Sequence, residues 1–292
     1  MPGNPLRSLR SRMVREVTDR LTGGGSPAVR AADLGEPWLP PDSPVREVHG
    51  DIAMLVGGLR ALLLQSLHPV AMQAVSDHSG YRSDPWGRFR RTAAFIGATT
   101  YGSVDRAGEQ IALVRRIHDR VTGQMPDGTP YRADDPELLM WIHVAEADSF
   151  LAANQAFARN PLPASRIDRY LADFARTAEA LGVIDPPRTH DQLNRRVAGF
   201  RPLLRGSEPS QDAARLLLWD PPISGPARAG YRVLAAGAVA TLPAWARSEL
   251  GLPTVVIMDR VLLRPTARAL MVTLDRAFEA EGFGRSAADV RS

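Results

Sequence analysis

His118 is the side chain in this sequence best placed to bind a reactive centre. It follows Ile111 by seven residues and Val114 by four, and Ile117 and Val121 continue the apolar series. In a helix its imidazole therefore points with the aliphatic residues and away from Arg115, Arg116 and Arg120. An inward, neutral imidazole serves as a hydrogen-bonded core residue or binds a metal or haem iron, and the spacing alone leaves both open. Arg88 and Thr92 stand four apart on a second helical segment, so they share a face. There a guanidinium and a hydroxyl can together hold an anion or an oxygen species, or simply sit solvated side by side. His143 and Glu146, three apart, have a spacing at which an imidazole and a carboxylate can share a metal. Dinuclear carboxylate sites use the order Glu-x-x-His, reversed here, and need further glutamates; the interval from Val48 to Gly108 has none.

The elements that must carry these residues read as helices. Asp84-Pro85 and Asp135-Pro136 each supply an N-cap and a first-turn proline, the former for a helix through Arg88, Thr92 and Phe95, the latter for one through Trp141, His143 and Leu151 that stops near Asn160-Pro161. Ser165 with Asp168 reads as a capping box for a helix closed by Gly182, and Thr189 with Gln192 repeats the device. Further helices are expected at 103–123, 211–218, 226–240 and 266–281, and β-alternation is confined to scraps such as Pro253 to Ile257. The run Ile52 to Leu67 carries Arg60 and Gln65 and is shorter than the roughly 20 residues of a membrane span, so it is expected to be a buried helix. His68-Pro69 and Asp77-His78 bracket a short apolar segment and can cap and turn the chain. The expected fold is all-α, with an N-terminal helix and loop-rich lead-in over 1–45, a catalytic domain over 46–250 and a C-terminal helical extension over 251–292.

Composition prunes the chemistry. The chain has 292 residues and no cysteine, which excludes disulfides, cysteine-held zinc or iron–sulfur clusters and a cysteine nucleophile, and leaves any metal to histidine or carboxylate. All 36 basic residues are arginine, giving a net charge of +4, but they are scattered and alternate with acids, unlike a nucleic-acid footprint. There is no phosphate loop, dinucleotide fingerprint, Gly-x-Ser-x-Gly elbow or His-Glu-x-x-His. The segment Leu6 to Val17 is basic without an apolar core, so no secretory signal is read there and a cytoplasmic location is expected; it suits a helix packed on the body better than one lying on a membrane.

The motifs also fall in a known order. Leu62-Leu63-Leu64-Gln65, His68-Pro69, Asp77-His78-Ser79, Asp84-Pro85 and Gly87 to Thr92 are followed by Tyr101-Gly102-Ser103, His118 to Gly123, and Tyr131 to Pro136 through Trp141-Ile142-His143. This order resembles the catalytic domain shared by MpaB-type oxygenases and latex-clearing rubber oxygenases, clearly over about 46–160 and more thinly to about 250. The resemblance implies a globin-like helical haem protein with extra flanking helices and haem b as cofactor. It implies His118 as the axial iron ligand and cofactor-binding residue, and Arg88 with Thr92 as the distal, catalytic pair, Arg88 also touching the cofactor. The family's upstream glutamate base has no match: Asp51, Asp77 and Asp84 are the only carboxylates between Val48 and Thr92, and none fits the motif.

The function expected on this basis is a haem b-dependent oxygenase or oxidase acting on a small apolar, isoprenoid- or polyketide-like substrate with dioxygen or peroxide. Its partners would be that substrate and dioxygen, without nucleic acid or stable membrane insertion. The alternatives are a helical haem or apolar-ligand binding protein without turnover, and a cofactor-free structural or interaction protein. His68, His78 and His143 are the candidates for a sixth iron ligand.

Overall fold

The computed structural model describes residues 35–80, 85–221, 226–253 and 268, and for Pro85, Trp86, Arg88, Phe89, Pro226 and Ala227 the backbone only. Among these residues lie eleven α-helices and one two-stranded hairpin, so the chain is all-α in class. The expected N-terminal helix, the Asp84 cap, the strand-like stretch beyond Pro253 and, apart from the helical residue 268, the helix at 266–281 fall outside the described residues.

The core is built on a close helix pair. α1 (Pro44–Gly50) leads into α2 (Ala53–Gln65), the apolar run of the sequence, which packs along α6 (Pro136–Phe157). Gly57 permits the approach: a Cβ there would meet the Phe150 ring at 3.1 Å and the Ser149 carbonyl oxygen at 3.3 Å. Around the pair Leu63, Leu64, Trp141, Phe150, Phe157, Tyr170 and Tyr231 are almost fully buried. Arg60 is buried too, and its guanidinium is matched on each side: 2.7 Å to Asp148, 2.7 Å to Ser149 Oγ and 3.2 Å to the Thr241 carbonyl. It thereby joins α2, α6 and α10 (Pro226–Thr241).

Local signals set most of the remaining boundaries. α3 (Pro69–His78) starts at His68, whose Nδ1 accepts from the Ala71 amide, and meets α2 at 102°. α4 (Pro85–Tyr101) and α5 (Val104–Arg120) form a helical hairpin about Gly102-Ser103. α6 is capped by Asp135, and Thr189 with Gln192 forms the expected capping box of α8 (His190–Phe200). α7 (Ile167–Leu181) ends on Gly182 at φ 110°, a left-handed conformation suited to glycine. α9 (Glu208–Leu218) and α11 (Ala244–Glu249) complete the bundle. No single helix among the described residues is long and apolar enough to cross a membrane.

Several expectations are corrected. At the end of the lead-in Ser43 caps α1 through its hydroxyl and Pro44 occupies the first turn. Ser165 and Asp168 make no capping box: a 3-10 turn over Ala164–Arg166 precedes α7, and the Asp168 carboxylate accepts the His190 amide instead. α5 stops at Arg120, after which β1 (Thr122–Gln124) pairs antiparallel with β2 (Pro130–Arg132), Gly123 opposite Tyr131. The turn signal is Pro126-Asp127-Gly128, with Asp127 accepting from the Thr129 amide and Gly128 at φ 85°.

Arg60→Ala leaves the Asp148 carboxylate without its guanidinium and opens a hole where three helices meet. We expect a loss on the order of 3 kcal/mol, seen as a lower urea midpoint with an unchanged denaturant slope. A loss below about 0.5 kcal/mol, in the range of exposed ion pairs, would show that the cluster is not a keystone.

Candidate functional site

The α4–α5 hairpin is held at its turn and, among the described residues, little covers its far end. At the turn, Pro37 bridges to Ser103, the Trp38 amide donates to the Gly102 carbonyl and the Val104 amide to the Glu36 carbonyl. Arg46 of α1 donates to the Thr100 carbonyl and lies over the Tyr101 ring, whose hydroxyl donates back to the Arg46 carbonyl. Ala98, Thr99, Thr100, Ala107 and Ile111 are buried there. Towards the other end Arg90, Arg91, Thr92 and Ala94 are exposed, Val114 and His118 half-buried, and Leu113 and Ile117 exposed at 42% and 49%. Neither arm packs extensively on α2 or α6; α4 leans on α1 and α5 leans on α7.

The predicted residues collect at that uncovered end. Taking roughly 1.5 Å per residue, Arg88 and His118 stand about 21 and 24 Å from Gly102 along their helices, and Thr92 about 15 Å. On the helical wheel His118 lies within roughly 20° of Ala107 and Ile111, so it continues the buried stripe of α5 to where the cover ends. Thr92 is exposed, and of Arg88 only the backbone position is described. Behind His118 the end is built by polar contacts: Arg132 binds Asp134 bidentately at 2.9 and 2.7 Å and approaches Asp119 at 3.7 Å. The Asp134 carboxyl is held low by Arg132 first and, more weakly, by His118. Tyr131 donates to Asp77 at 2.6 Å, and His78 Nε2 lies 3.1 Å from the Thr122 carbonyl oxygen. His78 and His68 thus do structural work, tying α3 to the β-hairpin and capping α3.

A second polar cluster lies deeper, and sequence reasoning saw only part of it. His49 of α1 is buried, hydrogen-bonded through Nδ1 to Thr100 Oγ1 at 2.9 Å and through Nε2 to the Tyr170 hydroxyl at 3.3 Å, with Phe150 and Phe174 edge-on to its ring. His143 packs on Phe174 at 4.9 Å, and its buried Nε2 has no hydrogen-bond partner among the described residues. Glu146, one turn on, accepts from Gln65 of α2 at 3.3 Å. Burial pushes the Glu146 carboxyl up to about 7, partly offset by that bond, and drives His143 down to about 4 and His49 to about 3. Tyr170 is held well above its usual range by burial and then by the Glu146 charge. His49 was missed because it lies in the last turn of a seven-residue helix too short to show periodicity.

Glu146 and Ile142 are half-buried although Leu139, Ser149, Phe150 and Ala153 around them on α6 are buried. On the facing helix Leu55, Gly58 and Leu62 form a matching half-buried stripe. The two stripes meet where Gln65 of α2 reaches the Ile142 carbonyl oxygen at 3.5 Å and Glu146 at 3.3 Å, a partly exposed seam between α2 and α6. No group of three or more histidines and carboxylates able to hold a metal occurs among the described residues. A groove of about 550 Å³, lined by Glu137, Asp185, Gln192, Arg195, Arg196 and Phe200 among others, lies apart from these histidines.

The described residues form a mostly helical domain with one small β-hairpin. Residues 46–274 match the family described as the catalytic domain of the ER-bound oxygenase mpaB/B' and of rubber oxygenase, and the chain belongs to that family. No curated protein and no solved structure matches it.

The buried acid and the two buried imidazoles act oppositely on stability. Glu146, raised in the fold, holds a proton that the unfolded chain has released, so its contribution falls as pH rises from about 4.5 to 7. His49 and His143, lowered in the fold, give a contribution that rises with pH from about 3 to 6.5. Glu146→Gln is therefore expected to gain stability relative to the parent protein as pH rises from 5 to 8, by on the order of 2 kcal/mol. Parallel unfolding curves for the two proteins across that range would refute the assignment.

Proposed function

We propose that the chain is a haem b-dependent oxygenase or oxidase of globin-like architecture that acts on a small apolar, isoprenoid- or polyketide-like molecule with dioxygen or peroxide. The observation that carries the proposal is the position of His118. It prolongs the buried stripe of α5 to the uncovered end of the hairpin, at the level of Arg88 on the opposite arm. Family membership supports the oxygenase class.

The residues fit the cofactor. A haem needs an apolar wall that the protein itself leaves uncovered, beside one imidazole donor. α5 offers Ile111 and Val114 on the same face as His118, and no thiolate competes in a chain without cysteine. His118 would hold the iron, and the bound haem would supply the redox chemistry with dioxygen or peroxide. Arg88 and Thr92, from the other arm, would bring a fixed positive charge and a hydroxyl to the reacting space, where preorganised donors stabilise developing negative charge.

His118→Ala, produced with haem supplied, is expected to remain helical by circular dichroism but to lose its haem absorption band. Unchanged haem stoichiometry would refute the assignment and turn attention to His143. Arg88→Ala and Thr92→Ala are expected to retain haem and to lose on the order of a hundredfold in turnover. If Arg88→Ala instead lowered the melting temperature sharply at unchanged specific activity, the pair would be a packing feature.

A further inference from the structure

We propose that the α2–α6 seam binds the hydroxyl group of an otherwise apolar molecule, with Glu146 accepting its hydrogen bond. As a statement about substrate this rests on the oxygenase reading; as a binding site it stands without it. The seam is apolar along Leu55, Gly58, Leu62 and Ile142, and Glu146 is the charged group set in its wall. Gln65 donates to one carboxylate oxygen and fixes the group's direction, and no other hydrogen bond to that carboxyl occurs among the described residues. Glu146 is half-buried among buried neighbours on its helix, and its bond to Gln65 turns the carboxyl toward α2.

His143 is an independent sign of an unfilled polar partner. It is 5% exposed, on the same side of α6 three residues earlier, and its Nε2 can still give or take a hydrogen bond. The other polar groups nearby are engaged with one another: Tyr170 of α7 with His49 of α1, and Arg60 with Asp148 and Ser149. A hydroxyl suits the carboxyl better than an ammonium does. It can pair with either protonation state of Glu146, whereas an amine must surrender its hydration to an apolar wall with a full charge to compensate.

The test is calorimetric titration of the full chain, with and without haem, using geraniol, geranyl methyl ether and geranylamine, three ligands with one apolar body and different heads. The parent protein is expected to bind geraniol about tenfold more tightly than the ether, the gain of one hydrogen bond to a charged acceptor. Glu146→Leu should abolish that preference while still binding the ether. Glu146→Gln, which keeps an acceptor and the volume, should preserve part of it, and the two variants' circular dichroism and melting report whether they are folded. Equal binding of alcohol and ether, preference for the amine, or no binding of any of the three would overturn the proposal. A chain that takes up no haem but still prefers the alcohol would defeat the oxygenase reading alone; one that loads haem without that preference would defeat this one alone.

Discussion

The contact between α2 and α6 at Gly57 is the constraint from which the rest of the architecture follows. With no Cβ at that point the helices approach until Phe150 and Ser149 touch the α2 backbone, and side chains above and below must then be divided between the interface and its flanks. Arg60 takes the inner side, and its charge is tolerable because Asp148, Ser149 and Thr241 satisfy it together. An unpaired guanidinium there would cost several kcal/mol, so the geometry of three helices is tied to one side chain. The opposite flank, with Leu55, Gly58 and Leu62 facing Ile142 and Glu146, stays partly open.

The hairpin of α4 and α5 follows a different rule. Its stability is concentrated at the turn, where segment 36–38, Arg46 and Tyr101 interlock and small or short residues pack. Away from the turn, apolar residues continue on α5 after the body of the protein stops covering them. A helix pair closed at one end and open at the other keeps two faces apart without sacrificing the fold, and it can present residues from both arms to one guest. The Arg132, Asp134 and Tyr131 contacts brace the end of α5 against the β-hairpin and α3.

Much of this could be read from residue types. The caps at Asp135 and Thr189, the stop at Gly182 and the burial of the 52–67 run act locally, within one helical turn, and local signals survive in a single sequence. The β-hairpin did not declare itself, since three-residue strands have no periodicity; only Pro126-Asp127-Gly128 announced a turn. Ser165 and Asp168 had the right spacing for a cap, but Asp168 found a better use across space with the His190 amide, a long-range bond that spacing cannot reveal. At the candidate site, the direction of His118 was legible because the apolar stripe is local, whereas the extent of its burial depends on where the covering helices end. The partnership of His49 with Thr100 and Tyr170 joins residues 51 and 121 positions apart, and no local pattern encodes it.

The placement of Glu146 shows why the deep cluster is more than leftover polarity. A core that needed only stability would do better with leucine at that position, since burial lifts the carboxyl towards neutrality and Gln65 returns only part of the cost. Two histidines held neutral nearby add a similar burden at low pH. His49 is repaid by two hydrogen bonds and three aromatic neighbours, so its retention has a packing explanation. Glu146 has one such bond, from Gln65, and His143 Nε2 has none among the described residues, and both sit on the side of α6 beside the open seam. Buried polar groups left short of partners in a folded chain point to a partner that arrives from outside it.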